Sequence, residues 1–212
     1  MAAGLAALAA AEVWAAAVAA ASEEAAASAA VAAVSVVVVR RGAGDMARAQ
    51  RLLMNLFDGW FQMRRRFPRT LLDEMTDAIA AGEREHRGEV CFAVESRLAP
   101  MAVLEGLDAD RRAHQVFAQL RVWDTEHNSG VLFYVLMAEH RVVIVADRGI
   151  AAVVTQHEWD AVRDRMLASF AQGAWRQGCL DGINEAHALL TRHFPGNDKA
   201  NPDELPDRPV LL

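Results

Sequence analysis

Cysteine and metal-ligating motifs are scarce in this chain. The 212 residues include two cysteines, Cys91 and Cys179, too few for a disulfide framework or a zinc site built from thiolates. Cys91 lies in a strand-like apolar stretch and Cys179 in a helix-like one, so both are predicted to be buried thiols. The zinc-protease motif is absent too, because His157-Glu158 is followed by Trp-Asp-Ala-Val and the second histidine is missing.

A surplus of positive charge is also lacking. Lys and Arg number 22 against 28 Asp and Glu, which gives a formal net charge of -6. Nucleic-acid binding depends on clustered basic residues that neutralise phosphates, so no nucleic-acid partner is expected. The sequence contains no Gly-rich phosphate loop and no nucleophile elbow, which removes the simplest signals of a nucleotide enzyme or a serine hydrolase.

The N-terminal segment, residues 1–45, lacks the charge pattern of a secretory signal. Its stretch from residue 2 to 39 is mostly Ala and Val, with no Lys or Arg before Arg40. A signal peptide needs a positive region ahead of its apolar core, so we expect a location in the cytoplasm or on the cytoplasmic face of the inner membrane. The cleanest apolar run, 25–39, has 15 residues, short of the roughly 20 that span a bilayer.

Three interpretations of residues 1–45 stay open. The segment is an upstream extension, with translation starting at Met46 or Met54, or a loose Ala-rich helix, or a membrane anchor through 25–39. Membrane contact is also possible through 57–66, where aromatic rings precede three arginines, a pattern typical of the lipid interface. The same pattern fits a helix that packs its rings on the domain.

From Met46 onward the pattern is that of a globular domain, predicted over 46–196 and followed by an extended or loose tail over 197–212. Pro favours the first turn of a helix, Asp can cap one, and Thr155 with Glu158 forms a capping box. The expected helices begin near Pro68, Asp108, Thr155 and Gly173 and end near Gly88, Leu120, Phe170 and Phe194, respectively.

Three apolar stretches predict the strands of a small sheet. Residues 90–94 form a short strand with Cys91 and Ala93 on one face. The stretches 131–137 and 142–146 are apolar without alternation, as in strands covered on both faces, and a four-residue link makes them an antiparallel hairpin. The predicted fold class is therefore α/β, a three-layer α/β/α sandwich around a small mixed sheet with a central β-hairpin.

A cluster of oxygen-bearing side chains precedes the hairpin. Asp124, Glu126 and Asn128 are spaced like the start of an EF-hand, but Gly130 falls one place late and a strand follows instead of a helix. An EF-hand is excluded. A different Ca²⁺ or Mg²⁺ site remains possible, with Asp147 contributing from the end of the neighbouring strand. The alternative is that Asp124 and Asn128 only cap turns.

The hairpin ends in Asp147-Arg148-Gly149, a position at which open α/β sheets often bind ligands. Arg148 is the candidate phosphate contact, because a guanidinium binds phosphate oxygens in pairs. The alternative is a local ion pair around a Gly turn. Glu89 and Glu95 flank the first strand, and Glu95 is expected at the Asp147 end of the sheet only if that strand runs parallel to 142–146.

These residues resemble the TPM domain family, which includes thylakoid acid-phosphatase-like proteins, a photosystem II repair factor and bacterial membrane-associated proteins. The likeness spans roughly Thr70 to Phe194. The residues that carry it are Gly88-Glu89-Val90, Phe117, Leu120, Trp123-Asp124-Thr125, Asn128 to Leu132, Val143 to Gly149 and Phe170 to Gly182.

The resemblance implies an α/β/α sandwich and two kinds of function. Some members are reported to bind Ca²⁺ or Mg²⁺ and to hydrolyse phosphate esters, whereas others act as assembly modules on membrane proteins. This chain has Ala-Asp-Arg-Gly where many members have Gly-aromatic-Gly. We expect an interaction module with a membrane-protein partner, its catalytic residues unknown. The alternative is a metal-assisted phosphoester hydrolase with Asp124, Glu126, Asn128 and Asp147 at the metal and Arg148 at the phosphate.

Overall fold

The computed structural model describes residues 50–52, 54, 55, 60–196 and 204–212. The segment 1–45, with its apolar run 25–39, lies outside the described residues, as does Phe57 of the aromatic stretch. The helices are α1 (Trp60–Arg66), α2 (Arg69–Gly82), α3 (Pro100–Leu104), α4 (Ala109–Gln119), α5 (Arg148–Ala151), α6 (Gln156–Ala171) and α7 (Trp175–His193), and the strands are β1 (Glu89–Glu95), β2 (Gly130–Leu136), β3 (Arg141–Ala146) and β4 (Val210–Leu211).

The strands form one mixed sheet in the order β3-β2-β1-β4. Strand β1 runs parallel to β2 and to β4, and β2 and β3 form the predicted antiparallel hairpin. The hairpin link turns at His140, whose φ is 51°. The parallel pair β1 and β2 is connected through α3 and α4, which cross one face of the sheet.

Two hydrophobic cores fill the space on the two sides of the sheet, which confirms the predicted sandwich. Val90, Phe92 and Val94 of β1 face the larger core, which includes buried side chains of α2, α6 and α7. Cys91 and Ala93 face the smaller core with α3 and α4. Both cysteines are buried and free, as predicted. Burial of apolar area on both faces is the main stabilising contribution to such a layer fold.

The caps read from the sequence are present. The Asp108 side chain accepts a hydrogen bond from the Arg111 N–H at 2.8 Å, and Thr155 and Glu158 form the reciprocal capping box. Helix α2 ends earlier than expected, at Gly82 rather than near Gly88. A Cβ on Gly82 would lie 2.2 Å from Cγ of the His187 ring. Only glycine at this position lets α7 approach α2 this closely.

The C-terminal tail adds the edge strand β4, which the sequence pattern did not indicate. The Leu212 N–H donates to the Val94 carbonyl at 2.8 Å, and Leu205 is buried in the smaller core. Arg208 pairs with Asp73 at 3.2 Å. The tail therefore crosses the start of β1 before it joins the sheet.

Residues near the start of the predicted domain are also fixed to the rest of it. Arg51 donates from Nε and Nη2 to the carboxylate of Glu139, both at 2.9 Å, and from Nη2 to the Leu107 carbonyl at 2.6 Å. Asn55 is fully buried and bridges Glu139 and the Leu98 N–H. The fold therefore includes residues that a start at Met54 would remove.

Among the helices of the described residues, none combines the length and the apolarity that crossing a membrane requires.

Candidate functional site

The candidate site lies at the end of the sheet where β1 and β2 begin and β3 ends. Glu89 is paired with Gly130, and Val131 with Ala146, so these positions share one edge. Glu95 lies at the opposite end, because β1 runs antiparallel to β3. Because β1 is not parallel to β3, Glu95 does not lie at the Asp147 end of the sheet. Glu89 lies beside the site instead.

Side-chain hydrogen bonds between Arg148 and Asn128, called here the lock, join the oxygen-bearing loop before the hairpin to the turn after it. Arg148 donates to Oδ1 of Asn128 from Nε at 2.8 Å and from Nη2 at 2.6 Å. Asn128 has a φ of 52°, a left-handed conformation that asparagine tolerates better than most residues. Its own carbonyl accepts the Gly149 N–H at 2.9 Å. Both the side chain and the backbone of Asn128 are thus used to hold the turn that follows β3.

Asp147 combines a cap with an unsatisfied oxygen. Its Oδ1 accepts the Arg148 N–H at 2.7 Å at the start of α5, while the buried Oδ2 has no hydrogen-bond partner among the described residues. The Asp147 N–H continues the ladder to the Gly130 carbonyl at 2.8 Å. Gly149 allows the close approach, because a Cβ there would lie 2.4 Å from the His127 carbonyl oxygen.

The loop that carries Asp124 and Glu126 is tight, but its carboxylates face solvent. Thr125 is buried and its hydroxyl accepts the Ser129 N–H at 2.8 Å. Asp124 and Glu126 are exposed, and the Glu126 N–H donates to the carboxylate of Glu204 in the tail at 3.0 Å. The four predicted metal ligands therefore lie along one edge. The side chains of Asn128 and Asp147 accept hydrogen bonds from Arg148, and those of Asp124 and Glu126 face solvent.

As placed, these residues do not fit a metal ion. Among the described residues, no three His, Cys, Asp or Glu side chains come together as a metal would require. The Asn128 oxygen already accepts two hydrogen bonds from a guanidinium, so a positive charge lies where a cation would need to bind. The predicted Ca²⁺ or Mg²⁺ site remains a prediction, and it requires Arg148 to leave Asn128.

An exposed tryptophan projects from the same loop. Trp123 is 50% exposed, although its neighbour Val122 is fully buried. The backbone beneath it is held closely, because a Cβ on Gly130 would lie 1.9 Å from the Val122 carbonyl oxygen. The Asp124 N–H closes the turn on the Arg121 carbonyl at 2.8 Å. The loop thus presents a large aromatic surface on a rigid base.

A buried titratable cluster lies behind this edge, and sequence reasoning missed it. The Glu83 carboxyl accepts the Val90 N–H at 2.7 Å and hydrogen-bonds to Asp207. The pKa of Glu83 is raised to about 9, mainly by burial; the hydrogen bond from the Val90 N–H lowers it, and the nearby carboxylates of Glu89 and Asp207 raise it. At neutral pH this carboxyl is protonated and can donate to Asp207.

Two buried histidines stack beside the cluster. The Nδ1 of His86 accepts the Gly88 N–H at 3.1 Å, so the neutral ring carries its proton on Nε2, 2.7 Å from Nδ1 of His187. Burial and the neighbouring ring lower the pKa of His86 to about 4, and burial lowers that of His187 to about 4. No sequence signal marked these positions, because the contact joins residues 101 apart.

A shallow cleft of about 510 Å³ lies at the other end of β1, beside α3 and α4. Its inner wall includes Glu95, which binds Arg112 at 2.8 Å and accepts the Tyr134 hydroxyl at 2.7 Å. Burial and the Glu95 carboxylate raise the pKa of Tyr134. The cleft therefore lies at the far end of the sheet from the Asn128–Arg148 lock.

Comparison with known proteins gives one family and one informative structure. The TPM domain family model matches residues 67–189. The chain is similar to the BA42 protein of the psychrophilic bacterium Bizionia argentinensis, solved by NMR, with 31% identity over 68% of this chain and 93% of that one and a TM-score of 0.60. It also matches the N-terminal domain of a protein from P. gingivalis, with 16% identity over 59% of this chain and 78% of that one and a TM-score of 0.48. No curated protein matches the chain.

Proposed function

Because the chain belongs to the TPM domain family, we propose that it is a non-catalytic interaction module that binds a membrane-protein partner. The Trp123 loop is the surface that makes this contact. Family membership supplies the fold, and the residues at the sheet edge support the specific surface.

The observation that carries the proposal is the lock between Arg148 and Asn128. An active site for phosphoester hydrolysis needs oxygen ligands and a cationic group directed at the substrate. Here the cation and the oxygen are directed at each other, at 2.6 and 2.8 Å. With its donors used within the chain, Arg148 favours a contact surface over a reaction centre.

Two buried cysteines and two buried histidines also favour a non-catalytic role. Burial raises the pKa of Cys91 to about 12 and raises that of Cys179 as well, so neither forms a reactive thiolate near neutral pH. His86 and His187 donate and accept within the core. None of these four groups is placed to reach a substrate at the Trp123 loop.

Trp123 is the centre of the proposed contact surface. Tryptophan is enriched among residues that dominate protein–protein binding energy, because it removes a large area from water at a low cost in side-chain entropy. The turn beneath Trp123 is closed by the Asp124 N–H bond to Arg121 and by the contact of Gly130 with Val122. Such a rigid base limits the entropy that binding would cost.

The proposal is tested by sedimentation of the full chain with native membranes of its source organism. We expect the chain to sediment with them, to be released after the membranes are treated with protease, and to remain in solution with protein-free vesicles of the same lipids. Trp123→Ala should weaken binding about tenfold or more, whereas Met101→Ala, which changes an exposed side chain at the other end of the sheet, should not. Equal binding to protein-free vesicles would refute a protein partner.

The alternative is a metal-assisted phosphoester hydrolase, and one observation favours it. The Oδ2 atom of Asp147 is buried without a hydrogen-bond partner among the described residues, as an unfilled ligand would be. Asp124 and Asp147 are the residues that would hold the ion, and Arg148 the one that would contact phosphate. Turnover of an aryl phosphate that needs Mg²⁺ or Ca²⁺ and is lost in both Asp124→Asn and Asp147→Asn would establish this alternative.

A further inference from the structure

The cleft beside α3 and α4 lies at the end of the sheet where the parallel strands β1 and β2 finish. Glu95, the last residue of β1, is paired with Leu136, the last residue of β2. Open α/β sheets bind ligands outside the carboxyl ends of their parallel strands, and the cleft volume of about 510 Å³ falls in the range of small-molecule sites. The cleft therefore has both the position and the size of a ligand site.

The inner wall of the cleft is fixed by a carboxylate with three donors. Glu95 accepts hydrogen bonds from Nε of Arg112 at 2.8 Å, from its Nη2 at 3.1 Å and from the hydroxyl of the fully buried Tyr134 at 2.7 Å. The side chains of Glu95 and Arg112 are only 12% and 18% exposed. Two parallel bonds of this kind fix the plane of a guanidinium, so the pair compensates its own charges and leaves Nη1 of Arg112 outside it.

Three side chains of α4 bring hydrogen-bond donors to the cleft. Arg111, Arg112 and Gln115 all line it. Nη1 of Arg112 lies 3.4 Å from Oε1 of Gln115, and because a guanidinium only donates, the amide nitrogen of Gln115 is left as a further donor. The Arg111 side chain is 72% exposed, and its ion pair with Asp108 is long, at 4.0 Å. Since such an exposed pair contributes little, the Arg111 charge is available to a ligand.

The α3 side of the cleft is mostly apolar. Leu98 and Ala99 before α3 and Ala102 within it line the cleft, together with Leu107 after it. Leu98 is buried and Leu107 packs against the smaller core, so both are held in place by the fold. The exposed carboxylate of Glu105 is the charged group on this side. A ligand that fits both sides has an anionic head for α4 and an apolar body for α3.

We propose that this cleft binds a small organic monoanion, a carboxylate with an apolar body. The carboxylate binds the guanidinium of Arg111 and Nη1 of Arg112, since guanidinium groups suit planar carboxylates, and the apolar body covers Ala102. One negative charge matches the one guanidinium whose ion pair is weak. A second negative charge would be repelled by Glu95 and Glu105, which favours a carboxylate over a phosphate dianion.

The test is a titration of the full chain, labelled with nitrogen-15, with octanoate and with octanamide, an uncharged molecule of the same length. Octanoate should shift the amide signals of the cleft residues saturably, with a Kd of about 1 mM or lower, and octanamide should bind about tenfold more weakly. The signals of the Trp123 loop should not respond, so this inference and the proposed function fail separately. The absence of a saturable shift with octanoate, equal affinity for octanamide, or shifts centred on the Trp123 loop would overturn the inference.

Four variants locate the site. Arg111→Gln should weaken octanoate binding about tenfold, whereas Arg192→Gln, which removes one charge from an exposed position of α7, should leave it unchanged. Ala102→Phe fills the cleft and should abolish binding, and Glu105→Gln removes a like charge and should tighten it about twofold. The circular dichroism spectrum checks that each variant is folded. Unchanged affinity in Arg111→Gln, or in a folded Ala102→Phe chain, would place the octanoate elsewhere and overturn the inference.

Discussion

Arg148 donates two hydrogen bonds to the side-chain oxygen of Asn128, from Nε at 2.8 Å and from Nη2 at 2.6 Å. The contact joins the loop before the hairpin to the turn after it, so that the two clusters identified from the sequence stabilise each other. A guanidinium that binds two phosphate oxygens would use these same donors. The same donors of Arg148 therefore serve either the contact with Asn128 or a contact with phosphate.

Removing either partner of the lock should lower the stability, and Asn128→Ala should cost more, because alanine tolerates a φ of 52° less well than asparagine. Arg148→Ala and Asn128→Ala are each expected to lower the free energy of unfolding by about 0.5–1.5 kcal/mol, because the contact is exposed and a typical hydrogen bond contributes that much. The double variant should cost clearly less than the sum of the two. Urea denaturation measures all three. Fully additive losses would show that the two side chains do not act together.

Divalent cations should not stabilise the wild-type chain. With Arg148 on Asn128, the melting temperature is expected to change by no more than about 1 °C in millimolar Mg²⁺ or Ca²⁺, since stabilisation requires a ligand that binds the folded state. Differential scanning fluorimetry gives the answer directly, with EDTA-treated protein as the reference. A shift of several degrees in the wild type that disappears in Asp147→Asn would instead support the metal site predicted from the sequence.

Glu83 should make the fold less stable as the pH rises. Its folded pKa is about 9 against a usual 4.5, so its contribution is fully present below pH 4.5 and is lost progressively as the pH rises through 9. Glu83→Gln keeps an acceptor for Val90 and a donor for Asp207, but cannot ionise. We expect the variant to match the wild type near pH 4 and to exceed it at pH 8 by on the order of 5 kcal/mol, because each pH unit above 4.5 costs the wild type about 1.4 kcal/mol. A difference that does not vary with pH would contradict a protonated Glu83.

The two candidate start positions should behave differently. A chain that begins at Met46 keeps Arg51 and should be as stable as the full chain. A chain that begins at Met54 loses Arg51 and leaves the Glu139 carboxylate, whose side chain is 7% exposed, without this partner. Breaking a buried ion pair in this way costs about 3 kcal/mol. Thermal melting compares the two, and Arg51→Ala in the full chain should reproduce the loss. An equally stable Met54 chain would contradict a structural role for Arg51.

Local signals in the sequence predicted much of the fold. The capping box at Thr155 and the cap at Asp108 depend on neighbours three residues away, and both are present. The hairpin follows from two apolar stretches and a short link. Strand β4 and the His86–His187 contact depend instead on residues about 100 positions apart, and no local pattern records such pairings.

The candidate site was predicted in part, for the same physical reason. Asn128 and Arg148 were both named from the sequence, since each adjoins a buried strand, but their mutual contact follows from the hairpin register. The placement of Glu95 depended on the direction of β1 relative to β3, which single-strand patterns do not contain. Glu83 was missed because its importance comes from burial and from Asp207 of the tail, neither of which a local pattern records.

The central claim, that the Trp123 loop binds a membrane protein, is tested most directly by site-specific photocrosslinking in the source organism. Benzoylphenylalanine replaces Trp123 in one full-length chain and Met101 in a matched control, both of which are exposed positions. We predict a crosslink from position 123 to a protein of the membrane fraction, and none to the same protein from position 101. Crosslinks from position 101 alone, or the absence of any membrane protein in the product from position 123, would contradict the account.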